Sequence, residues 1–243
     1  MPAVLITGAN RGIGLGIVQQ YLKDPSFTHV FATTRDVAKS TVRSWLITLM
    51  SINDPRLHVL QMDVVNDDSI KAALEKVEPI VGAAGLDILI NNAGVHEKCP
   101  TNGPINRAAL HRIFDVNTAG ALIVTQVFLP LLKKSAQTKV IMISSTMGSV
   151  GASIGSCGDF GIIGYSMSKS ALNQAMKTLS VDYFNEPIIF TSFCPGAVLT
   201  DMSEGRGEIT VEQSTTALCE SIKKLTKAHS GGFYYRDLHS IPY

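Results

Sequence analysis

Tyr165 and Lys169, two side chains able to exchange protons, stand four residues apart in "GYSMSKSALNQAMKTL" (164–179). Four residues on a helix make just over one turn, which puts the phenol and the ammonium on one face with Cβ atoms roughly 6 Å apart. A cation beside a phenol favours its ionised form, so such a pair can pass a proton to or from a reacting group. A five-residue pattern with three free positions also arises by chance, as a solvated lysine beside a boundary aromatic. Its meaning depends on the rest of the chain.

A second constellation lies near the start. The strand-like "AVLI" (3–6) runs into "TGANRGIGLG" (7–16), where Gly8, Gly12 and Gly14 have GxxxGxG spacing ahead of a helix. Glycines let a backbone turn tightly and approach a pyrophosphate, whose charge the helix N-terminus stabilises. About 20 residues beyond the glycines, the end of the second strand meets the adenosine ribose in dinucleotide folds. Here it reads "ATTRD" (32–36), with Thr34 where an NAD site places a carboxylate, Arg35 after it, and Arg11 inside the glycine loop. Two guanidiniums suit a 2′-phosphate because their donors form a rigid fork. NADP(H) is therefore favoured over NAD(H), and Asp36 keeps NAD(H) open if the register differs by one or two residues.

Both constellations need a frame. Apolar runs of strand length recur at 3–6, 29–34, 57–62, 86–90, 139–144, 188–193 and 232–235, with helical patterns at 12–23, 37–51, 67–82, 106–134, 165–185 and 211–227. Strands apolar throughout and alternating with helices predict a parallel sheet covered on both faces. The expected architecture is a single doubly wound α/β domain over 1–243, with seven parallel strands. The glycine-rich 145–166 is expected to loop over the carboxyl edge of the sheet, where such folds bind ligands.

Composition narrows the function classes. The 243 residues carry 21 basic and 20 acidic side chains, with no basic run beyond a pair, so no nucleic-acid footprint is expected. Cys99, Cys157, Cys194 and Cys219 show neither CxxC nor metal-ligand spacing, which predicts free thiols, no metal site and a reducing compartment. The apolar 116–132 is interrupted by polar residues and is shorter than a membrane span of about 20 residues, so it is read as a buried helix. With strand pattern starting at Ala3, no leader segment is expected, and the location predicted is the cytoplasm, away from membranes.

Taken in order, "TGANRGIG" (7–14), "DV" (63–64), "NNAG" (91–94), "FDVNTAG" (114–120), "ISS" (143–145), "YSMSK" (165–169) and "CPGAVLTDM" (194–202) resemble the short-chain dehydrogenase/reductases over nearly the whole chain. The short carboxyl end, with "GGFYYRDLHSIPY" (231–243), is most similar to the small carbonyl-reductase branch of the sniffer and C-factor type. The resemblance implies a Rossmann-type fold and NADPH-dependent reduction of a small carbonyl compound, an aldehyde, ketone or quinone. It implies that Tyr165 is the proton donor, that Lys169 tunes the phenol toward neutrality and binds the nicotinamide ribose, and that Ser145 polarises the substrate, with Ser144 the alternative. It also implies that Asn117 holds a water in the proton relay.

For the cofactor, the resemblance implies Gly8, Asn10, Arg11, Gly12, Ile13 and Gly14 around the phosphates and Arg35 at the 2′-phosphate. Asp63 and Val64 would flank the adenine, and Asn91, Ala93 and Gly94 the adenosine ribose. Pro195, Gly196, Val198 and Thr200 would lie along the nicotinamide, joined by Tyr165 and Lys169. One departure stands out: Ser145 and Tyr165 are more widely spaced than is usual in the family, so residues around 151–161 must loop away from the site. Two other classes remain in view, a non-catalytic NADP(H)-binding sensor or scaffold and a sugar-nucleotide epimerase or dehydratase; the latter normally needs a longer segment after Thr200. The apolar helical stretches 106–134 and 165–185 predict a homodimer or homotetramer, since family members pair through them.

Overall fold

The computed structural model describes residues 2–36, 49–152 and 161–243. Most of the helix expected over 37–51, Cys157 and most of the loop expected around 151–161 lie outside the described residues. Seven strands form one sheet: β1 (Ala3–Ile6), β2 (His29–Thr34), β3 (Leu57–Gln61), β4 (Ile88–Asn91), β5 (Thr138–Ile143), β6 (Ile188–Cys194) and β7 (Gly232–Tyr235). Their order is β3-β2-β1-β4-β5-β6-β7 and every neighbouring pair is parallel. The chain starts in the middle, winds outward to β3, then returns past β1 to wind the other way. The switch between β1 and β4 opens a crevice at the carboxyl edge, and the glycine loop and the "NNAG" turn meet there.

The helices α1 (Gly12–Lys23), α2 (Asp67–Val81), α3 (Arg107–Leu132), α4 (Ile163–Asp182) and α5 (Val211–Lys224) cover the sheet. Alternate strand residues face opposite layers, as the period of two requires. Leu5, Phe31, Leu89 and Val140 pack with Ile70 and Val77 of α2, Phe128 of α3 and Met176 of α4. Val4, Ile6, Val30, Ile90 and Ile141 pack with Ile17 and Val18 of α1 and Leu218 and Ile222 of α5. Each such fully buried side chain contributes about 1.5–3 kcal/mol relative to exposure. Side-chain caps fix where helices begin: Asn66 accepts from the Ser69 N–H at α2, and Thr210 and Gln213 cap α5 reciprocally.

Helix α3 is 26 residues long and, by length and composition alone, passes for a membrane span. It corresponds to the helical pattern expected over 106–134, with the apolar stretch 116–132 as its second half. Its reading as a buried helix is met in part: Ala121, Val124, Phe128, Leu131 and Leu132 are buried in the core, whereas Leu122 is exposed. Midway, Asp115–Gly120 forms a π turn. That turn carries Asn117.

Candidate active site

Helix α4 starts beside the carboxyl ends of β4 and β5. Ahead of it the Cys99 N–H donates to the Gly161 carbonyl at 2.6 Å, tying the loop after β4 to the entrance of α4. Tyr165 falls in the first turn and Lys169 one turn later, so the four-residue spacing does place them on one face. Lys169 is only 3% exposed, and its Nζ donates to the Ile143 carbonyl at the end of β5 at 2.7 Å. The same Nζ lies 5.7 Å from the centre of the Tyr165 ring. The backbone of this turn is approached closely by Gly148, where an added Cβ would stand 2.7 Å from the Lys169 Cβ.

The two serines after β5 diverge as alternation requires. Ser144 is 2% exposed and its hydroxyl has no hydrogen-bond partner among the described residues. Ser145 accepts from the Met147 N–H at 3.2 Å and lies within hydrogen-bonding reach of the Tyr165 phenol. Of the pair, Ser145 stands beside the phenol.

Burial dominates the electrostatics of the pair. Burial, with the Cys194 thiol adding to it, pushes the Tyr165 phenol up to about 12, and the bond from Ser145 only partly offsets this. Burial brings the Lys169 ammonium down to about 8, with Cys194 opposing the shift. Desolvation disfavours the charged form of each group, and the ammonium spends its hydrogen bond on Ile143 rather than on the phenol. At neutral pH the phenol keeps its proton, the form needed to donate one.

Asn117 is fully buried in the π turn. Its Oδ1 accepts from the Val95 N–H at 2.8 Å, while its Nδ2 donates to the Val95 carbonyl at 2.9 Å and to the Ser168 hydroxyl at 3.0 Å. Ser168 in turn donates to the Tyr165 carbonyl at 2.7 Å. The side chain therefore clamps the loop after β4 to α4.

At the glycine loop, Gly8 has φ +62° and an added Cβ would meet the Ala93 Cα at 2.9 Å, so only glycine fits. Arg11 is the N-cap of α1 and makes no side-chain cap there, and the first turn of a helix is where backbone N–H groups stabilise an anion. Asn10, Gly12, Ile13 and Gly14 continue the loop into α1. Two residues that escaped the sequence reading, Thr7 and Asn92, hold this loop. The Thr7 hydroxyl accepts from the Asn92 and Ala93 N–H groups at 2.9 Å each, and the Asn92 amide donates to the Thr7 and Gly8 carbonyls at 2.9 and 3.1 Å. Both stand inside the motifs "TGANRGIG" and "NNAG", where the resemblance gives neither a role. These features fit a dinucleotide pyrophosphate.

Other candidates sit around the same edge. Asn91 turns its side chain inward, donating to the Thr125 hydroxyl at 2.9 Å, so it cannot reach a ribose except through its backbone. Its position inside β4 dictates that direction; Ala93 and Gly94 follow on the turn and line the crevice. Arg11 pairs with Asp201 at 2.7 Å, so a 2′-phosphate would have to compete for it. Arg35 is exposed just past β2, while Thr34 is buried within the strand. Asp63 and Val64 follow β3, the Asp63 Oδ1 accepting from the Val65 N–H at 3.2 Å. Pro195, Gly196, Val198 and Thr200 run from β6 toward α1; the Pro195 carbonyl accepts from Ser214 at 2.7 Å, and the Thr200 methyl would lie 3.5 Å from a Cβ on Gly12. Among the described residues no cluster of three metal-ligating side chains occurs.

A family model described as short chain dehydrogenase matches residues 2–209. Among solved structures, the Sniffer protein of Caenorhabditis elegans is 40% identical, with both chains covered in full and a TM-score of 0.88. The NADPH-bound carbonyl reductase from chicken fatty liver is 32% identical over 100% of this chain and 99% of its own, with a TM-score of 0.91. The carbonyl reductase Sniffer of Drosophila melanogaster is 32% identical over the full length of both chains, also at 0.91.

Proposed function

The chain belongs to the short-chain dehydrogenase family, as a relative of the Sniffer branch, and on that premise we propose that it reduces an aldehyde, ketone or quinone to an alcohol with NADPH. The observation that carries this reading is the convergence of Tyr165, Ser145 and Lys169 beside the glycine loop at one sheet edge. When bound, the nicotinamide supplies a hydride; the protein must orient the carbonyl and deliver a proton. Ser145 polarises the carbonyl oxygen and Tyr165 gives the proton to it. Lys169, fixed on Ile143, presents a positive charge to the ribose side of the crevice and favours the phenolate that remains. Asn117 acts as a positioning residue that holds the loop after β4 against α4.

NADPH is preferred because Arg35 follows the end of β2 and Arg11 stands in the glycine loop, with no carboxylate at Thr34, and the NADPH-bound chicken relative supports the same reading. The whole of 1–243 works as one cofactor-binding domain in the cytoplasm. The exposed Leu122 of α3 and Met167 and Val181 of α4 support pairing of copies through those helices. The test is NADPH oxidation, followed by absorbance, with a panel of aldehydes, ketones, quinones and sterols. Absence of turnover with every carbonyl, despite tight NADPH binding, would favour the sensor or scaffold reading instead.

A further inference from the structure

The turn that follows Ser145 is held from two sides, and only one of them is the helix of the catalytic pair. On the inner side Thr146–Gly148 makes a tight helical turn, and the Gly148 carbonyl accepts from the Ser170 hydroxyl at 3.0 Å and the Asn173 amide at 3.3 Å, both on α4. On the outer side the partner lies 93 residues on. Ser149 is 4% exposed; its hydroxyl donates to the Pro242 carbonyl at 2.5 Å and accepts from the Ala152 N–H at 2.9 Å. The Gly151 N–H donates to the main-chain oxygen of Tyr243 at 2.6 Å, and an added Cβ on Gly151 would stand 2.7 Å from that oxygen, so the two backbones are in direct contact.

The segment that supplies these contacts is itself fixed. After β7 the chain doubles back: the Tyr235 N–H donates to the His239 carbonyl at 2.8 Å, Leu238 takes a left-handed φ of +68°, and the Ile241 N–H donates to the Phe233 carbonyl at 2.8 Å, which lays 239–243 antiparallel beside the strand. A bulky residue in the left-handed region persists only where its surroundings over-determine it. Two anchors do so here. Ile241 is 3% exposed in a cluster with Cys194 and Phe233, and the Tyr243 hydroxyl donates to the Gly231 carbonyl at 2.5 Å, its ring 6.2 Å from that of Phe233.

We propose that Ser149 is a positioning residue and 239–243 the strap to which it is fastened: together they fix the turn after β5 so that the Ser145 hydroxyl stays within reach of the Tyr165 phenol. The inference rests on the carbonyl-reductase reading. The anchor is passed along the backbone, since the Ser149 N–H donates to the Thr146 carbonyl at 3.0 Å and the Gly148 N–H to the Ser145 carbonyl at 2.8 Å. A group that orients a reacting carbonyl tolerates little movement, a misplacement of about 1 Å costing about a hundredfold in rate, so a serine carried on a turn needs support from both sides.

The full chain is tested under NADPH with benzaldehyde, acetophenone, menadione and progesterone, taking the one that wild type reduces fastest. Ser149→Ala cuts the link between loop and strap, and Tyr243→Phe loosens the strap from its far end while keeping the ring. The expected result is that Ser149→Ala lowers kcat about tenfold and Tyr243→Phe about threefold, with the NADPH Kd within about twofold of wild type. In a Ser145→Ala background neither change should cost more than about twofold, because the strap has lost the group it positions. Equal factors in both backgrounds would mark the strap as merely structural, and no loss in the chain that keeps Ser145 would show that the turn stands without it; both outcomes overturn the inference alone. Tyr243→Phe decides between them if Ser149→Ala does not fold. A wild-type chain that reduces none of the four compounds overturns the carbonyl-reductase reading, and the inference falls with it.

Discussion

The ammonium of Lys169 sits 2.7 Å from the carbonyl of Ile143, so the last residue of β5 holds the cation and α4 carries it. That relationship makes the lysine a buried charge held by a backbone carbonyl, and burial brings its pKa from 10.5 to about 8. Where a lysine's pKa falls on folding, the charged form costs stability. The cost is full below about 8, shrinks between about 8 and 10.5, and vanishes above both values.

Lys169→Met is therefore expected to abolish reduction while stabilising the fold at pH 7. The drop in pKa corresponds to roughly 3 kcal/mol, reduced by about 1–2 kcal/mol for the carbonyl left unpaired, which leaves a Tm rise of about 2–8 °C. Thermal unfolding at pH 7 and again near pH 10 checks it. The advantage over wild type must narrow at the higher pH, and a variant less stable than wild type at pH 7 contradicts the assignment.

Tyr165→Phe is expected to remove most of the reductase activity and leave NADPH binding nearly unchanged, because the hydroxyl acts mainly in the transition state. Single-turnover rates and NADPH titration measure the two separately. Retention of more than about a tenth of the wild-type rate, a deficit below about 1.4 kcal/mol, would exclude the phenol as proton donor.

Arg35→Asp is expected to weaken NADPH binding about tenfold or more and shift preference toward NADH, by placing a carboxylate where a 2′-phosphate would lie. Asp201→Asn should act in the opposite direction. It frees Arg11 from the 2.7 Å ion pair and removes a negative charge near the phosphates, tightening NADPH by about two- to fivefold at low salt. Fluorescence titration of both cofactors is the measurement, and equal affinity of wild type for NADH and NADPH would defeat the preference.

Asn117→Ala is expected to destabilise the chain by about 2–4 kcal/mol, since it strips hydrogen bonds from buried groups at Val95 and Ser168. Denaturant unfolding tests this. A loss under about 1 kcal/mol would mean that the clamp is replaced by water.

Pairing through α3 and α4 predicts a dimer or tetramer in sedimentation at micromolar concentration. Replacing the exposed Val181 and Met167 by Glu should shift the distribution toward the 26.1 kDa chain. A wild-type species of that mass alone would refute the assembly.

By itself the sequence determined the layered sheet, because apolar runs buried on both faces can persist only as parallel strands covered by helices, and the seven runs at 3–6 through 232–235 became the seven strands within two residues at each end. It also determined that Tyr165 and Lys169 share a face, since one helical turn fixes that locally. Other features depended on groups distant in the chain. Ser145 rather than Ser144 faces the phenol because of where β5 ends. Asn91 and Asn92, identical in type and adjacent, part company because strand alternation sends one to the core and the other to the phosphate loop. The burial that pushes the phenol up instead of down, the ion pair of Arg11 with Asp201, 190 residues away, and the contact of His96 with Tyr165 exist only once the sheet brings its carboxyl ends together. Local spacing dictates what a helix turn presents, whereas desolvation and long-range pairing are set by the packed chain.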